Sequence, residues 1–192
     1  MLSDKRIIEE RENGNIVIEP FREDFLGTNS YDCTLGPWYY EENEDIPEIY
    51  VDDPSHVSLF WRGPMEARWD NNRQASYIPV LPGCTILAHT QEIIGTRNGY
   101  VAKMYSKSTT ARLGLSVCRC AGVGDVNFVS HWTMEISNHT QTILWLPVGM
   151  KIAQFCYYHV GETLKNYKGH YGQEETWAPQ DMLPKVVRVP QC

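Results

Sequence analysis

The chain has 192 residues, 42% of them hydrophobic and 21% charged, with a formal net charge of −7. That length suits one domain able to bury roughly 70% of its unfolded surface, and the composition excludes a disordered chain. The acidic balance argues against a nucleic-acid partner, because such proteins need a basic face to displace counterions.

Ser3 reads as an N-cap for a helix in "DKRIIEERENG", stopped by Gly14. This charged start has no signal-like apolar stretch, and no apolar run approaches the ~18 residues of a membrane span. With six irregularly spaced cysteines, the expectation is a cytoplasmic protein with free thiols and no membrane partner. From there the pattern turns to period two. Residues 16–21, 56–61, 85–93, 100–106, 115–121, 131–138, 142–147 and 151–160 read as short strands. The seven carboxylates of 41–53 read as a solvated loop. Turn signals such as Leu81-Pro82-Gly83 and Arg97-Asn98-Gly99 separate the strands. Many short strands behind one leading helix predict an all-β barrel or jelly-roll-like sandwich. The domain is expected over 1–165, with 166–192, rich in Gly and Pro, as a C-terminal tail.

Two stretches carry candidate chemistry. "YSKSTTARLG" (105–114) sets Lys107 and Arg112 around Ser108, Thr109 and Thr110 in an acidic protein. It reads as a polar turn or as a cradle for a polyanion, since hydroxyls, turn N–H groups and fixed positive charge are what a polyphosphate needs. "HWTMEISN" (131–138), taken as a strand, turns Trp132, Met134 and Ile136 to one side and His131, Thr133, Glu135 and Ser137 to the other. Glu135 therefore faces either solvent or a polar concavity. Cys118-x-Cys120 followed by His131 offers a third possibility, a zinc site. Zinc deaminases, however, carry H-x-E and P-C-x-x-C, and neither is present. A Cys-x-Cys within one strand would instead put both thiols on one face.

An ordered series of motifs resembles the dCTP deaminases of the trimeric dUTPase superfamily over nearly the whole chain. It runs through "SYDCTLG" (30–36), "LPGCTILAHTQEI" (81–93), "KSTTARLGL" (107–115), "AGVGDVNF" (121–128), "TMEISN" (133–138) and "GMKIAQFC" (149–156). The resemblance implies a distorted jelly-roll or dUTPase-like β-barrel forming a homotrimer, with 166–192 as a closing lid. The implied reaction is zinc-independent deamination of dCTP to dUTP and ammonia. Magnesium rides on the substrate phosphates, and dTTP is a candidate inhibitor. Lys107 and Thr109 would contact the triphosphate; Ser108 and Arg112 would reach the base pocket. Glu135 would be the general acid–base, with Ser108 and the Ala121 carbonyl holding the water and Arg112 holding Glu135. Asp125 would meet the deoxyribose, the backbone at Thr133 and Met134 the pyrimidine edge, and Gln154 the phosphates. Tyr167 and Gln173 would belong to the lid.

Departures from that pattern are local. Asp125-Val126-Asn127-Phe128-Val129-Ser130 stands where the family has a turn with two glycines, His170 stands where a lysine is usual, and Val148 splits a Pro-Gly pair. Gly122 takes the place of a histidine found in members that release dUTP. A glycine there either leaves room for a second water, which would carry the product on to dUMP and pyrophosphate, or relieves a tight bend. A dUTP diphosphatase without deaminase activity and a catalytically idle nucleotide-binding regulator are the rival readings.

Overall fold

The computed structural model describes residues 1–165, 167, 169, 171 and 176–185. Helix α1 (Asp4–Glu12) starts where its cap predicts: Ser3 Oγ accepts the Arg6 N–H at 3.4 Å, and Ile7 is fully buried beneath it. The strands follow as β1 (Ile16–Glu19), β2 (Tyr31–Glu42), β3 (Trp61–Glu66), β4 (Arg68–Asp70), β5 (Ala75–Val80), β6 (Thr85–Thr96) and β7 (Tyr100–Ser106). Then come β8 (Leu115–Ser116), β9 (Val123–Gly124), β10 (Val129–Asn138), β11 (Leu144–Pro147) and β12 (Lys151–His159). Two further helices, α2 (Pro54–Phe60) and α3 (Ser108–Arg112), interrupt them.

A nine-stranded sheet runs in the order β8-β10-β6-β2-β12-β7-β9, with β1 also on β6 and β3 also on β2; β11-β5-β4 form a separate three-stranded sheet. Bulges in β2, β10 and β12 interrupt the register, and such irregularities bend a sheet. The fold is mostly β, as expected. Its core is the inner face: Ile18, Tyr31, Leu35, Ile86, Ile94, Phe155 and Tyr157 are all buried there. On β10, Trp132, Met134 and Ile136 point into this core, in agreement with the alternation. Burying each such side chain is worth about 1.5–3 kcal/mol.

Several expectations are corrected. Residues 56–60 are helical and only Trp61 belongs to a strand, as the first residue of β3, so α1 is not the sole helix. Asp53 accepts the Ser55 N–H at 2.8 Å and Pro54 opens the first turn, so capping decides for α2 over the alternation of His56, Val57 and Ser58. The strand over 115–121 ends after Ser116. There the Cys118 carbonyl accepts both the Cys120 and the Ala121 N–H, at 2.7 and 2.6 Å, and Arg119 and Cys120 take positive φ of 37° and 122°. The thiols of Cys118 and Cys120 thus sit on a tight turn, not on one strand face. Of the stretch read as tail, Trp177, Met182 and Leu183 return to pack against Trp38, Tyr40, Trp61 and Leu87 on the outer face of the sheet. Among the described residues no helix is long and apolar enough to cross a membrane.

Candidate functional site

The outer face of β10 opens into a cavity of about 630 Å³. Thr133 and Glu135 form its floor; Ala121 and Asp125 stand on one rim with Phe128 and Tyr167; α2, Trp61, Trp177 and Met182 close the opposite side. Five of the residues implicated by the sequence therefore share one concavity: Ala121, Asp125, Thr133, Glu135 and Tyr167. Glu135 faces this concavity rather than open solvent.

Register places the floor. Glu135 pairs with Leu87 and Thr133 with His89 across β10 and β6, and the ladder shifts between His131 and Thr133. Thr90 fills that irregularity: its hydroxyl accepts the Trp132 N–H at 2.9 Å and donates to the Glu92 carbonyl at 2.7 Å. Burial pushes the Glu135 carboxyl above the usual carboxylate range, opposed by a backbone N–H and by the charge of Arg119. A carboxyl raised by burial in this way is better suited to take and return a proton than a solvated one.

The rim is tied to β7. Gly122 offers its carbonyl to the Met104 N–H at 2.7 Å, and β9 pairs with Ala102 and Lys103. A Cβ on Gly122 would overlap the Met104 carbonyl oxygen. Farther along, the Phe128 N–H reaches the Asp125 carbonyl at 3.0 Å, and Asn127, in the turn where the resembled pattern has glycines, takes φ 70°. Asparagine is among the residues that tolerate this conformation best. Phe128 then meets the rings of Trp132 and Tyr167 edge-on, at 5.2 and 5.7 Å. Burial pushes the Tyr167 phenol up, and the charge of Asp125 adds to the effect.

Beside the floor lies a ring cluster that the sequence pattern did not single out. Trp177 packs on His89 at 4.6 Å and on His131 at 4.7 Å. The Trp38 N–H donates to His89 Nε2 at 3.3 Å, which leaves Nδ1–H to donate to the Thr90 carbonyl at 2.9 Å. Burial lowers the His89 pKa to about 4. His131 Nδ1 uses the same carbonyl, at 3.0 Å. Among the described residues, no three His, Cys, Asp or Glu side chains gather to hold a metal ion.

The remaining predicted residues lie apart from the cavity. α3 begins at Ser108 and ends against Gly114 at φ 82°, so the hydroxyl run is a helical turn. Thr110 is buried and bonds the carbonyls of Lys107 and Ile152. Ser108, Thr109 and Arg112 are exposed, and no described side chain engages them. Lys107 meets Asp32 at 2.5 Å, Lys151 meets the same carboxylate at 3.5 Å, and Gln154 pairs with Asp32 across β12 and β2. Within one chain the cation acting on Glu135 is Arg119, whereas Arg112 sits on α3. Met134 is wholly buried in the core, so only its backbone is open to a ligand. Gln173 lies outside the described residues.

Comparison with known proteins gives a consistent result. A family model described as dCTP deaminase-like matches residues 1–160. A protein of Streptomyces coelicolor named "dCTP deaminase, dUMP-forming" is 32% identical over 83% of this chain and 80% of its own. One of the same name from Methanospirillum hungatei is 30% identical over 87% and 85%. The crystal structure of the 2′-deoxycytidine 5′-triphosphate deaminase from Agrobacterium tumefaciens shares the fold at TM-score 0.60 and 17% identity, over 86% of this chain and 49% of that one.

Proposed function

Because the chain belongs to the dCTP deaminase-like family, we propose that it converts dCTP to dUMP, ammonia and pyrophosphate. The observation that carries this reading is Glu135: a half-buried carboxylate on the floor of a nucleotide-sized cavity, with Asp125 on its rim. Water attacks C4 of the cytosine while Glu135 takes its proton. The new C4–O bond forms, the proton passes to the ring nitrogen and the leaving amine, and the C4–N bond breaks to release ammonia. Ser108 and the Ala121 carbonyl position that water, and preorganised donors stabilise the developing charge. Asp125 meets the deoxyribose, the backbone at Thr133 and Met134 reads the base edge, and Gln154 approaches the phosphates. A second water then cleaves the bond between the α- and β-phosphates. The relatives' "dUMP-forming" names support this second step.

The cavity and the α3 surface are two halves of one site, joined in a homotrimer. Glu135, Asp125 and Tyr167 come from one subunit; Lys107, Ser108, Thr109 and Arg112 come from the next. The unengaged side chains of Ser108, Thr109 and Arg112 support this arrangement, since exposed donors without partners suit an incoming nucleotide, Thr109 its phosphates and Ser108 and Arg112 its base. Magnesium is carried by the substrate phosphates, where it neutralises charge, and Asp125, an exposed carboxylate at the rim, suits a supporting role toward it. Residues 1–165 form the barrel and 166–192 the lid, with Tyr167 and Gln173 closing over the phosphates. The enzyme works in the cytoplasm, and dTTP inhibits it at the same site. Ammonia release from dCTP tests the reading: release supports it, and intact dCTP in the presence of magnesium refutes it.

A further inference from the structure

One basic side chain beside Glu135 has no part in the chemistry above. Cys118 and Glu135 are bridged backbone to backbone, which brings the 118–121 turn alongside the edge of β10 at Glu135. The residue presented there is Arg119. Its Nε donates to Ser137 Oγ at 3.1 Å, and its Nη2 donates to Thr85 Oγ1. Those two hydroxyls are buried, bond each other at 2.9 Å, and face one another across β10 and β6. Ser137 lies two residues beyond Glu135 and so on the same face of the strand. Glu42 adds a looser ion pair at 3.9 Å.

The backbone supports a special role for this turn. Arg119 and Cys120 are consecutive non-glycine residues at positive φ. Such conformations are costly and persist where the surroundings hold them, often at functional sites. Here the Cys118 carbonyl holds the turn from inside and the Arg119 fork holds it from outside.

We propose that Arg119 is a positioning residue for Glu135: pinned on the Thr85–Ser137 hydroxyl pair, its guanidinium is the fixed counter-charge that keeps the carboxylate ready to accept a proton. The neighbourhood explains why one is needed. Around Glu135 stand Cys118 on the turn, His89 on β6, His131 on β10, and Asp125, Tyr167, Tyr171, Asp181 and Lys185 about the cavity. Burial works against the ionised form of Glu135, and the charge that opposes it is that of Arg119, held on the neighbouring Ser137. Cys118 feels the same carboxylate: burial, then Glu135, pushes its thiol up. Arginine suits the task because its planar fork can satisfy two oxygens at once and never loses its charge.

This inference rests on Glu135 being the general base, and its test separates the two claims. Arg119→Gln and Arg119→Lys are compared with the native chain in two ways: the pH profile of kcat/KM on dCTP with magnesium, and the titration of the Glu135 carboxylate by ¹³C NMR, with Glu135→Gln identifying the resonance. Arg119→Gln is expected to raise both the acid limb and the NMR midpoint by about 0.5–1 unit, a shift fitting a partly exposed cation. Its neutral-pH loss should be regained at higher pH, and Arg119→Lys should restore most of the shift. A uniformly slower Arg119→Gln enzyme with limb and midpoint unmoved would reduce Arg119 to a structural brace. If the Gln variant does not fold, Ser137→Ala, which removes one anchor, should move the midpoint the same way by less; an unmoved midpoint there counts equally against the proposal. A native chain that leaves dCTP intact would overturn the proposed reaction, while the NMR midpoint would still decide whether Arg119 governs Glu135.

Discussion

Gly122 and Met104 meet backbone to backbone: the Gly122 carbonyl accepts the Met104 N–H at 2.7 Å, and the Met104 carbonyl oxygen occupies the space a Cβ would need. The glycine is thus accounted for by the contact between the rim and β7, and by itself it is no sign of a second water. Gly122→Ala should displace the rim and cost more than about 2 kcal/mol, because the clashing atom is backbone. Thermal melting checks this. An alanine variant that melts like the native chain would mean the contact yields easily and would restore the reading of Gly122 as room for water.

Glu135→Gln should leave dCTP binding intact and lower turnover by roughly 10²–10⁴. It should also make the protein more stable at neutral pH. A carboxyl whose folded-state pKa is raised contributes stability below the ordinary carboxylate pKa and loses it as pH climbs through the raised value. At pH 7 the buried charge is therefore a net cost, which glutamine relieves. Calorimetry should show the melting temperature rising by a few degrees. Unchanged turnover would remove Glu135 from the chemistry.

His89 carries a prediction of opposite sign. Its pKa is lowered from 6.5 to about 4 by burial. A depressed histidine stabilises the fold above its unfolded pKa and gives that up as pH falls through the window from about 6.5 to about 4. Acidification across it should cost on the order of 2–3 kcal/mol at most. His89→Gln should lose much less over the same range in urea titrations at neutral pH and near pH 4.5. Equal losses in both proteins would place the acid sensitivity elsewhere.

The proposed joining of the cavity and the α3 surface across subunits predicts complementation. Glu135→Gln and Arg112→Ala are each expected to be inactive alone. Co-expressed, they should regain activity at about a quarter of the sites, the fraction for random mixing around a closed ring. No recovery would show that Glu135 and Arg112 do not meet across an interface.

Much of this was legible in the residues, for identifiable reasons. α1 has a cap and a stop, and β7 and the middle of β10 alternate because one face of each meets the core, whereas β6 is a long apolar run buried along nearly its whole length. β2 was not legible, because Gly36 and Pro37 interrupt its pattern at a register shift where Gly36 lies against the His89 ring. α2 was hidden because its short amphipathic run mimics a strand, and only Asp53-Pro54 signals the cap. Motif order pointed to Glu135 and Asp125, which the fold brings into one cavity, and to the α3 residues, which lie apart from it within one chain. It could not find Arg119, His89 or Trp177, whose roles depend on a turn at positive φ, a cross-strand pairing and a distant segment folding back.

The most direct measurement of the central claim is a time course of the purified chain with dCTP and magnesium, resolving dCTP, dUTP, dUMP and pyrophosphate. The account predicts that dUMP and pyrophosphate appear together as dCTP disappears, with little free dUTP at any time. Stoichiometric accumulation of dUTP without pyrophosphate would contradict the second step, and dCTP that persists unchanged would contradict the account as a whole.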